Sequence, residues 1–540
     1  MRIHKFLLIC AVVAACSPSD NKIGATSSAP NTSKIVPTRP KAQADEAKLF
    51  GTWRIVSLNG SAIKPGIEDT GVNTAPRVNF WPSGFGFATG CNGAGGFGVL
   101  RGNRYYAALG PSTLMRCNGL MAQEDTINAL MRAAPSVTFQ ADGTMKLESK
   151  DTIMVLVKDP VASAKLSNKV APSQRFILAG TSWEINTFDG ATATLRSQID
   201  AGPRPLIFEA DHWSFKAACA TLSGKWEQRD QTIINKGDIA TTQQACTGKD
   251  PVSDDIATQI MKANPTFVAG FNDYLLIAGD GHWLIAFRYP VLVDEASLVK
   301  GNWRIAAIDG AKPVASSKPT LSFGAADYKG STGCNAIQGN FLVHTRRLFT
   351  YERPQTEMGC GQLTQQEARI TGLLRASPRI ARLASGNLAL IDETGQLELE
   401  RDPSGQAPVA ELALQTLDRS QRLIESLQYD GQDIPKNASG EAANLVFTHQ
   451  KWTSTVGCRE LHGDRLNGDW RAREGRIDLY TNGAPAEPGV CPPDQQIWTE
   501  KMTRIMSGPS RILINTNGEF LLASQDHWIT GRTTPQRGAR

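Results

Sequence analysis

Short segments in which apolar and polar residues alternate, each bounded by turn residues, make up most of the chain beyond residue 47. In the segment from Trp53 to Gly60, the apolar positions Trp53, Ile55 and Leu58 alternate with polar ones except for one slip. This pattern predicts a half-buried β-strand. The Asn-Gly pair that ends the segment predicts a tight turn, because both residues accept positive φ. Comparable segments end in glycine at three later places: Trp183 to Gly190, Trp303 to Gly310 and Ile424 to Gly431.

One spacing of two uncommon residues identifies four internal repeats. A phenylalanine precedes a cysteine by eleven residues at four places: Phe80 and Cys91, Phe208 and Cys219, Phe323 and Cys334, and Phe447 and Cys458. Each repeat has a second cysteine further along the chain: Cys117, Cys246, Cys360 and Cys491. Because four identical spacings rarely coincide by chance, the chain is predicted to carry tandem copies of one domain.

An amphipathic helix is predicted after each second cysteine. Apolar residues recur there at i, i+3 and i+4, which is the spacing of one helix face. The four sets are Ile127, Leu130 and Met131; Ile256, Ile260 and Met261, which is the loosest; Ile370, Leu373 and Leu374; and Met502, Ile505 and Met506. Short β-like runs then close each repeat, such as residues 145–149 and 153–157 in the first.

These elements predict an α+β fold that is mainly β. Each repeat should be a compact antiparallel-sheet or barrel-like domain, with one amphipathic helix packed on the strands. The predicted domains are residues 48–158, 177–288, 298–401 and 410–535, of which the last is the most divergent. The intervening residues 159–176, 289–297 and 402–409 lack clear periodicity. We therefore expect separate cores, joined by linkers like beads.

The first sixteen residues have the pattern of a signal sequence. Arg2 and Lys5 precede a ten-residue apolar run over 6–15, which is shorter than the about 20 residues that a membrane-spanning helix needs. The run ends in Val13-Ala14-Ala15-Cys16, which resembles a lipobox. We expect Cys16 to become the lipidated N-terminus, with Cys10 removed in the signal peptide. An ordinary signal peptide cleaved near Ala15 is the alternative.

Residues 17–47 are rich in Ser, Pro, Asn, Thr and Ala, and are predicted to be a flexible tether. Because Ser17 rather than an aspartate follows Cys16, the outer membrane facing the periplasm is the expected location in a Gram-negative cell. The membrane is then a partner through the lipid.

Two of the repeats resemble the META domain, the family that includes HslJ-like lipoproteins. The resemblance rests on a Gly-x-Trp strand, a Gly-Cys-Asn turn, a cysteine after a methionine and a Gln-Glu helix start. The first repeat has Gly51-Thr52-Trp53, Gly90-Cys91-Asn92, Met115-Arg116-Cys117 and Gln123-Glu124, and the third has Gly301-Asn302-Trp303, Gly333-Cys334-Asn335, Met358-Gly359-Cys360 and Gln366-Glu367. The second and fourth repeats depart from these motifs. The resemblance implies an envelope location and a strand-rich fold, but no reaction.

The repeat structure selects one pairing for the eight cysteines that remain after Cys10 and Cys16. It joins the first cysteine of each unit to the second: Cys91–Cys117, Cys219–Cys246, Cys334–Cys360 and Cys458–Cys491. An exported chain folds where disulfides persist, so we expect structural bridges. Two reduced, buried thiols per repeat are the alternative.

The chain shows little sign of catalytic, metal or nucleic-acid chemistry. Its net charge of +5 over 540 residues is too small a bias to indicate nucleic-acid binding. The seven histidines never stand at metal-ligand spacing, and no cofactor fingerprint has a usable context. Ser61-x-x-Lys64 and Ser297-x-x-Lys300 lack the companion motifs of serine enzymes. Asn92 and Asn335 could line a groove, but we expect them to be turn residues with positive φ.

Three classes of function remain. The first is a non-enzymatic envelope lipoprotein that acts as a multivalent binding or scaffold module and supports envelope integrity under stress. The second is an inhibitor of a secreted hydrolase, which predicts one protruding loop with a charged or aromatic tip that differs between repeats. The third is an enzyme with a polar cleft in at least one repeat. The first is favoured, with an envelope protein or ligand as its partner.

Overall fold

The structure is a computed structural model, and residues 48–540 form one compact unit in it. The described residues are 46–66, 75–167, 176–189, 191–192, 205–216, 220–243, 251–270, 274–288, 295–353, 358–404, 414–415, 422–437, 440–448, 451–457, 460–466, 476–481, 492–515, 517–524 and 527–533. The predicted signal peptide, Cys16 and the tether up to residue 45 lie outside them. Among the described residues, no helix is both long and apolar enough to cross a membrane.

Four antiparallel sheets follow one another along the chain, and each closes on itself through eight strands. In every sheet the first strand pairs with both the second and the last strand of the circle, so the circle has no free edge. We call these sheets barrels 1 to 4. Closure satisfies the backbone hydrogen bonds of the edge strands, which in an open sheet are unpaired.

Barrels 1 and 2 contain nineteen of the strands and three of the helices. Barrel 1 consists of β1 Gly51–Leu58, β2 Ser61–Ala62, β3 Arg77–Trp81, β4 Gly84–Ala88, β5 Gly93–Arg101, β6 Arg104–Ser112, α1 Met121–Arg132, β7 Ser136–Phe139, β8 Thr144–Glu148, β9 Ile153–Asp159 and α2 Pro160–Ser167. Barrel 2 consists of β10 Thr181–Phe188, β11 Ala191–Thr192, β12 Pro205–Phe208, β13 His212–Lys216, β14 Ala220–Arg229, β15 Thr232–Asn235, β16 Ala240–Gln243, α3 Pro251–Lys262, β17 Thr266–Gly270, β18 Tyr274–Ala278 and β19 Trp283–Arg288.

Barrels 3 and 4 contain the other eighteen strands and two α-helices. Barrel 3 consists of the 3-10 helix Glu295–Leu298, β20 Gly301–Ile308, β21 Thr320–Phe323, β22 Asp327–Ser331, β23 Ala336–His344, β24 Arg347–Glu352, the 3-10 helix Gly361–Leu363, α4 Thr364–Arg375, β25 Arg379–Arg382, β26 Leu388–Ile391 and β27 Gln396–Arg401. Barrel 4 consists of β28 Leu414–Gln415, β29 Arg422–Tyr429, β30 Gln432–Asp433, β31 Leu445–Phe447, β32 Lys451–Ser454, β33 Leu461–Leu466, β34 Arg476–Thr481, α5 Pro493–Ile505, β35 Gly508–Asn515, β36 Glu519–Ser524 and β37 His527–Thr533.

Each barrel has its own apolar core, which the inward residues of the strands and the buried face of its helix fill together. The four phenylalanines of the repeated spacing are all buried there: Phe80, Phe208, Phe323 and Phe447. The helices α1, α4 and α5 contribute the predicted triplets. In barrel 2 the buried face is formed by Ala257, Ile260 and Met261, with Ile256 only partly buried. The predicted fold class, α+β and mainly β with repeated domains, is confirmed.

The slip in the alternation of the first strand is a β-bulge. The pairing of β1 with β9 shifts between Ile55 and Ser57. The first strands of the other three barrels shift their register at corresponding points. A bulge inserts one residue and bends the strand, which helps a sheet to curl into a barrel. The predicted turns after these strands are also present, with φ of 51° at Asn59 and 50° at Asp309.

The segment after the first barrel is structured, which differs from the expectation of a linker over 159–176. Residues 160–167 form α2, and the Ser163 hydroxyl oxygen accepts the Thr52 backbone N–H at 2.9 Å. The small residues in Pro-Val-Ala-Ser-Ala obscured this helix, because its sequence has no clear apolar stripe. Barrel 1 therefore carries two helices instead of one.

The expectation of independent beads is wrong, because the barrels pack against one another. Apolar clusters join barrel 1 to barrel 2 and barrel 3 to barrel 4. Between barrels 2 and 3, the Arg346 guanidinium pairs with the Glu209 carboxylate at 2.7 Å, and only 8% and 14% of these side chains are exposed. Glu295 holds the turn that carries Arg346 by accepting its backbone N–H at 3.2 Å. Burial raises the pKa of Glu295.

Candidate functional site

The motifs shared by the first and third repeats meet at one place in each barrel, which we call the cysteine clasp. In barrel 1 it consists of Thr89, Cys91, Asn92, Cys117 and Glu124, and in barrel 3 of Thr332, Cys334, Asn335, Cys360 and Glu367. The structure joins Cys91 to Cys117 and Cys334 to Cys360, with Cα atoms 5.8 Å apart in both. This is a normal span for a disulfide. The turn before the fourth strand of the barrel circle is thus tied to the segment that enters the helix.

The Asn92 side chain is the centre of the clasp in barrel 1. Its amide NH₂ donates to the Met115 carbonyl at 2.8 Å and to the Glu124 carboxylate at 3.0 Å. Its carbonyl oxygen accepts the Met115 backbone N–H at 2.7 Å and the Thr113 hydroxyl at 3.0 Å. The Asn92 amide therefore pairs with both backbone groups of Met115, as a neighbouring strand would.

Barrel 3 repeats this arrangement. The Asn335 amide donates to the Met358 carbonyl at 3.1 Å and to Glu367 at 2.9 Å, and its oxygen accepts the Met358 backbone N–H at 3.0 Å. The Thr332 hydroxyl donates to the same carboxylate at 2.9 Å. Four residues that are scattered over the sequence thus form one hydrogen-bonded unit in both barrels.

The Gln-Glu pair at the helix start has two separate tasks. Glu124 and Glu367 accept hydrogen bonds from the asparagines, as described. The Gln123 amide donates to the Thr89 carbonyl at 2.7 Å and accepts the Lys64 backbone N–H at 2.9 Å. Gln366 makes the matching bonds in barrel 3. The helix is therefore anchored at its first turn to two loops of the barrel.

The interpretation of Asn92 and Asn335 as turn residues with positive φ is wrong. Neither has a positive φ; the left-handed residues of these turns are Gly90 and Gly333, with φ of 100° and 95°. A Cβ on Gly333 would also lie 2.6 Å from the Ser317 Cβ, so glycine is required there on two grounds. The asparagines are buried and point inward. They bind the chain's own loop rather than line an open groove.

The clasp holds a solvent-exposed apolar loop in place. In barrel 1, 92% of Leu114 and 42% of Met115 are exposed, and Arg116 is exposed beside them. In barrel 3, 61% of Met358 is exposed at the position that matches Met115. Such exposure of large apolar side chains on a braced loop is typical of contact surfaces, because a mobile loop would lose more entropy on binding.

One group of possible metal donors occurs among the described residues. The sulfur atoms of Cys334 and Cys360 and a carboxylate oxygen of Glu367 lie within 4.8 Å of one another. In the disulfide these sulfurs are bonded to each other, and metal binding requires thiolates. In its oxidised form the cluster therefore acts as a brace rather than as a set of ligands.

The remaining predicted site residues are not all placed. Cys16, Cys219, Cys246, Cys458 and Cys491 lie outside the described residues. Their lipidation and pairing stay predictions.

Two histidine–aspartate pairs were missed by the sequence analysis. His282 Nδ1 lies 2.5 Å from Asp189, and His527 Nδ1 lies 2.8 Å from Asp430. Each aspartate also accepts the backbone N–H of the tryptophan that follows the histidine. These pairs tie the turn after the first strand to the start of the last strand, so they help to close barrels 2 and 4. The His-Trp dipeptide was only a weak signal, because it also occurs at His212-Trp213, where the histidine lies 2.9 Å from the adjacent Asp211.

A surface groove of about 470 Å³ lies between α2 and the outer side of β1 and β3. Thr52, Arg54 and Arg77 form its floor, and Val161 and Leu166 its apolar wall. Asp159 also lines the groove, which contains no histidine or cysteine. Neither clasp contributes a residue to it.

Comparisons with known proteins agree with the motifs at the two clasps. No curated protein matches the chain. An NMR structure of a protein from Burkholderia xenovorans has 20% identity over 22% of this chain and 92% of that chain, with a TM-score of 0.19. The Helicobacter pylori β clamp bound to a DNA ligase peptide has 8% identity over 69% of this chain and 98% of that chain, with a TM-score of 0.13. The Pseudomonas aeruginosa DNA polymerase sliding clamp has 7% identity over 67% and 94%, also with a TM-score of 0.13.

The model of the META domain family matches residues 47–160 and 296–404. These residues form barrels 1 and 3 and include both clasps. This chain therefore contains two META domains, barrels 1 and 3, each followed by another closed eight-stranded barrel.

Proposed function

We propose that this protein is a non-enzymatic envelope lipoprotein that acts as a multivalent binding or scaffold module. A lipid on Cys16 would anchor it to the outer membrane, and the barrels would extend into the periplasm. Its partner would be an envelope protein or ligand rather than a nucleic acid. The repetition of similar barrels along one chain suits simultaneous binding at more than one surface.

One observation carries this proposal: the motifs that barrels 1 and 3 share are used to brace exposed loops. The asparagine, glutamate and cysteine side chains of each clasp are bonded to the chain itself. The apolar core fills each barrel interior with side chains. Contact with other molecules is then left to the outer surfaces, and above all to the loops that carry Leu114, Met115 and Met358.

The anchor is tested by metabolic labelling with a fatty acid. The wild-type chain should incorporate the label and fractionate with the outer membrane, whereas Cys16→Ser should not be labelled. Equal labelling of both chains would contradict the lipidation of Cys16.

The binding function is tested by crosslinking in living cells. A photo-crosslinking amino acid placed at Leu114 or Met358 should give specific adducts with an envelope component. The same amino acid at Asn103, which is exposed on the β5–β6 turn of barrel 1, is the matched control. Adducts of equal yield at Asn103, or none at the two clasp loops, would contradict the proposal.

A second candidate is an inhibitor of a secreted hydrolase. It is favoured by the loop of barrel 1, because Leu114, Met115 and Arg116 are exposed next to the Cys117 bridge while the Asn92 amide holds the backbone of Met115. A rigid loop with a charged tip can enter an enzyme cleft at low entropic cost. The tip also differs between barrels, since Gly359 stands where barrel 1 has Arg116.

Inhibition assays against a panel of secreted proteases and other hydrolases test this candidate. If it is right, the wild-type chain should inhibit at least one enzyme, and Leu114→Glu should remove the inhibition while Met358→Glu leaves it intact. Inhibition by the wild type and by Leu114→Glu to the same extent would rule out this loop as the inhibitory element.

A further inference from the structure

The contact between barrels 1 and 2 is an apolar face built from a few outward-pointing strand residues. Val99 and Tyr106 of barrel 1 pack with Val268, Leu276 and Trp283 of barrel 2. The rings of Tyr106 and Trp283 are 5.6 Å apart. Both aromatic residues belong to this cluster and not to the barrel cores, so their burial depends on the neighbouring barrel.

The contact between barrels 3 and 4 uses the same positions. Phe349 is the third residue of β24, as Tyr106 is of β6, and each faces a residue of the preceding strand, Leu342 or Val99. On the other side, Trp528 follows Leu521 by seven residues, as Trp283 follows Leu276. The corresponding residues meet in the same way: Phe349, Leu342, Leu513, Leu521 and Trp528 form one cluster, with the rings of Phe349 and Trp528 5.8 Å apart.

From this correspondence we infer that the chain is two copies of one two-barrel unit, in which a META barrel docks a dedicated partner barrel through a defined face. The docking face of barrels 1 and 3 is formed by the strand pair that directly follows the cysteine turn, β5–β6 and β23–β24. The partner that fits it is a barrel with an outward Trp on its last strand, as in β19 and β37. The unit of stability is then the pair and not the single barrel. This inference is independent of the proposed function.

The junction between the pairs supports this division, because it is built differently. Barrels 2 and 3 meet through the buried Arg346–Glu209 ion pair and through backbone bonds, such as the Ala210 N–H to the Arg382 carbonyl at 2.9 Å. The Arg382 N–H donates to Glu209 at 2.7 Å, and the Ala384 N–H donates to Asp211 at 2.9 Å. Polar bonds therefore form much of this junction, where Ile391 of barrel 3 also packs against the core of barrel 2. Each of the other two junctions instead has an aromatic pair in its apolar cluster.

Each pair also has, at the edge of its docking face, residues that differ from those of the other pair and favour its own partner barrel. In barrels 1 and 2, the rings of Phe97 and Tyr274 are 6.0 Å apart at the edge of the face. In barrels 3 and 4, the matching positions are Asn340 and Glu519, two residues before Leu342 and Leu521.

These polar residues belong to a buried network. The Asn340 oxygen accepts from Asn515 at 2.9 Å and from Arg353 at 2.8 Å, and Arg353 also pairs with Glu519 at 3.3 Å. If barrel 2 docked barrel 3 by this face, Tyr274 would meet Asn340, which would lose its bond from Asn515, and Arg353 would lose its ion pair with Glu519. Such an unpaired buried group costs about 1–3 kcal/mol, so the wrong pairing is disfavoured.

Hydrogen–deuterium exchange of the full chain tests the inference, with Trp283→Ala and Trp528→Ala as a matched pair of variants. Trp283→Ala should raise strand-amide exchange about tenfold or more in barrels 1 and 2 together, and Trp528→Ala in barrels 3 and 4 together, because loss of the face loosens both members. Val161→Ala, at a residue exposed on α2, should change little and serves as the control.

A milder variant distinguishes loss of the docking face from misfolding of the barrel that carries the tryptophan. Val99→Ala on the opposite side of the face should also raise exchange in barrel 2, where no residue has been changed. Faster exchange confined to the substituted barrel, or spread evenly over all four, would overturn the pairing.

Discussion

At the scale of single residues, each clasp asparagine makes the backbone hydrogen bonds that a neighbouring strand would make to the loop. The Asn92 amide makes hydrogen bonds with both backbone groups of Met115. It also donates a hydrogen bond to the buried Glu124 carboxylate. Glutamate is only 7% exposed at this position, which is costly without hydrogen-bond donors. The asparagine is therefore needed by the loop and by the acid alike.

Asn92→Ala should lower the free energy of unfolding of barrel 1 by roughly 2–3 kcal/mol, because it leaves a buried carboxylate with fewer donors. Denaturant unfolding, monitored by hydrogen–deuterium exchange of the barrel 1 amides, measures this free energy. Asn103→Ala, on an exposed turn, is the matched control and should cost almost nothing. A loss as small as that of the control would show that the clasp does not stabilise the barrel.

The two bridges should also differ in the ease of their reduction. Cys91 and Cys117 are 2% and 4% exposed, whereas Cys334 and Cys360 are both partly exposed. Since an attacking thiolate must reach a sulfur atom, a dithiol reductant should open the bridge in barrel 3 first. Timed alkylation with mass spectrometry measures the order, and faster opening of Cys91–Cys117 would contradict it.

At the scale of elements, barrel 3 has an ion-pair brace that barrel 1 lacks. Arg369 on α4 pairs with Asp309 at 2.7 Å and with Asp392 at 3.0 Å, and so ties the helix to two turns of the barrel. The hydrogen bond from Arg369 lowers the pKa of Asp309. In barrel 1 the matching positions hold Asn59 and Thr126, which have no charge.

This difference predicts a pH dependence. Because the pKa of Asp309 is lower in the folded state, its stabilising effect is complete above the ordinary aspartate pKa of about 4 and is lost as the pH falls through the lowered value. The melting temperature of the wild type should therefore exceed that of Asp309→Asn at pH 7. The gap should close under acid conditions, and a gap that widened on acidification would contradict the assignment.

The helices and strands could be predicted from the sequence better than the contacts between them. The Phe–Cys spacing and the alternation predicted four strand-rich repeats, since strand period and turn chemistry are local properties. The slip at Val56 was visible, but only the pairing of β1 with β9 shows it to be a bulge. Glu124 was visible as part of the Gln-Glu motif, but its bonds to Thr89 and Asn92 were not, because they depend on how the helix lies against a turn 35 residues away. The packing of Tyr106 against Trp283 was equally hidden, since each reads simply as an apolar strand residue.

At the scale of the whole molecule, a buried ion pair lies within the junction between barrels 2 and 3. Arg346→Met should cost about 3–5 kcal/mol, because it leaves the Glu209 carboxylate buried without its cation. Small-angle scattering should show a longer molecule as the two pairs separate. Arg229→Met is the matched control, since the Arg229–Glu227 pair is exposed and such pairs contribute little. Equal effects of both variants would contradict a special role for the Arg346 junction.

The closure of each barrel by its first and last strands has a mechanical consequence. The beginning of β1 lies opposite the end of β9, with Thr52 paired to Asp159, and barrel 3 starts in the same way with Trp303 opposite Arg401. A force applied along the chain therefore breaks the cross-strand hydrogen bonds one after another. In a shear geometry it would load all of them at once. A chain anchored at one end and attached to a partner at the other should yield at low load, with the two barrels of a pair opening together. Extension of the chain under tension would then protect the attachments at its two ends.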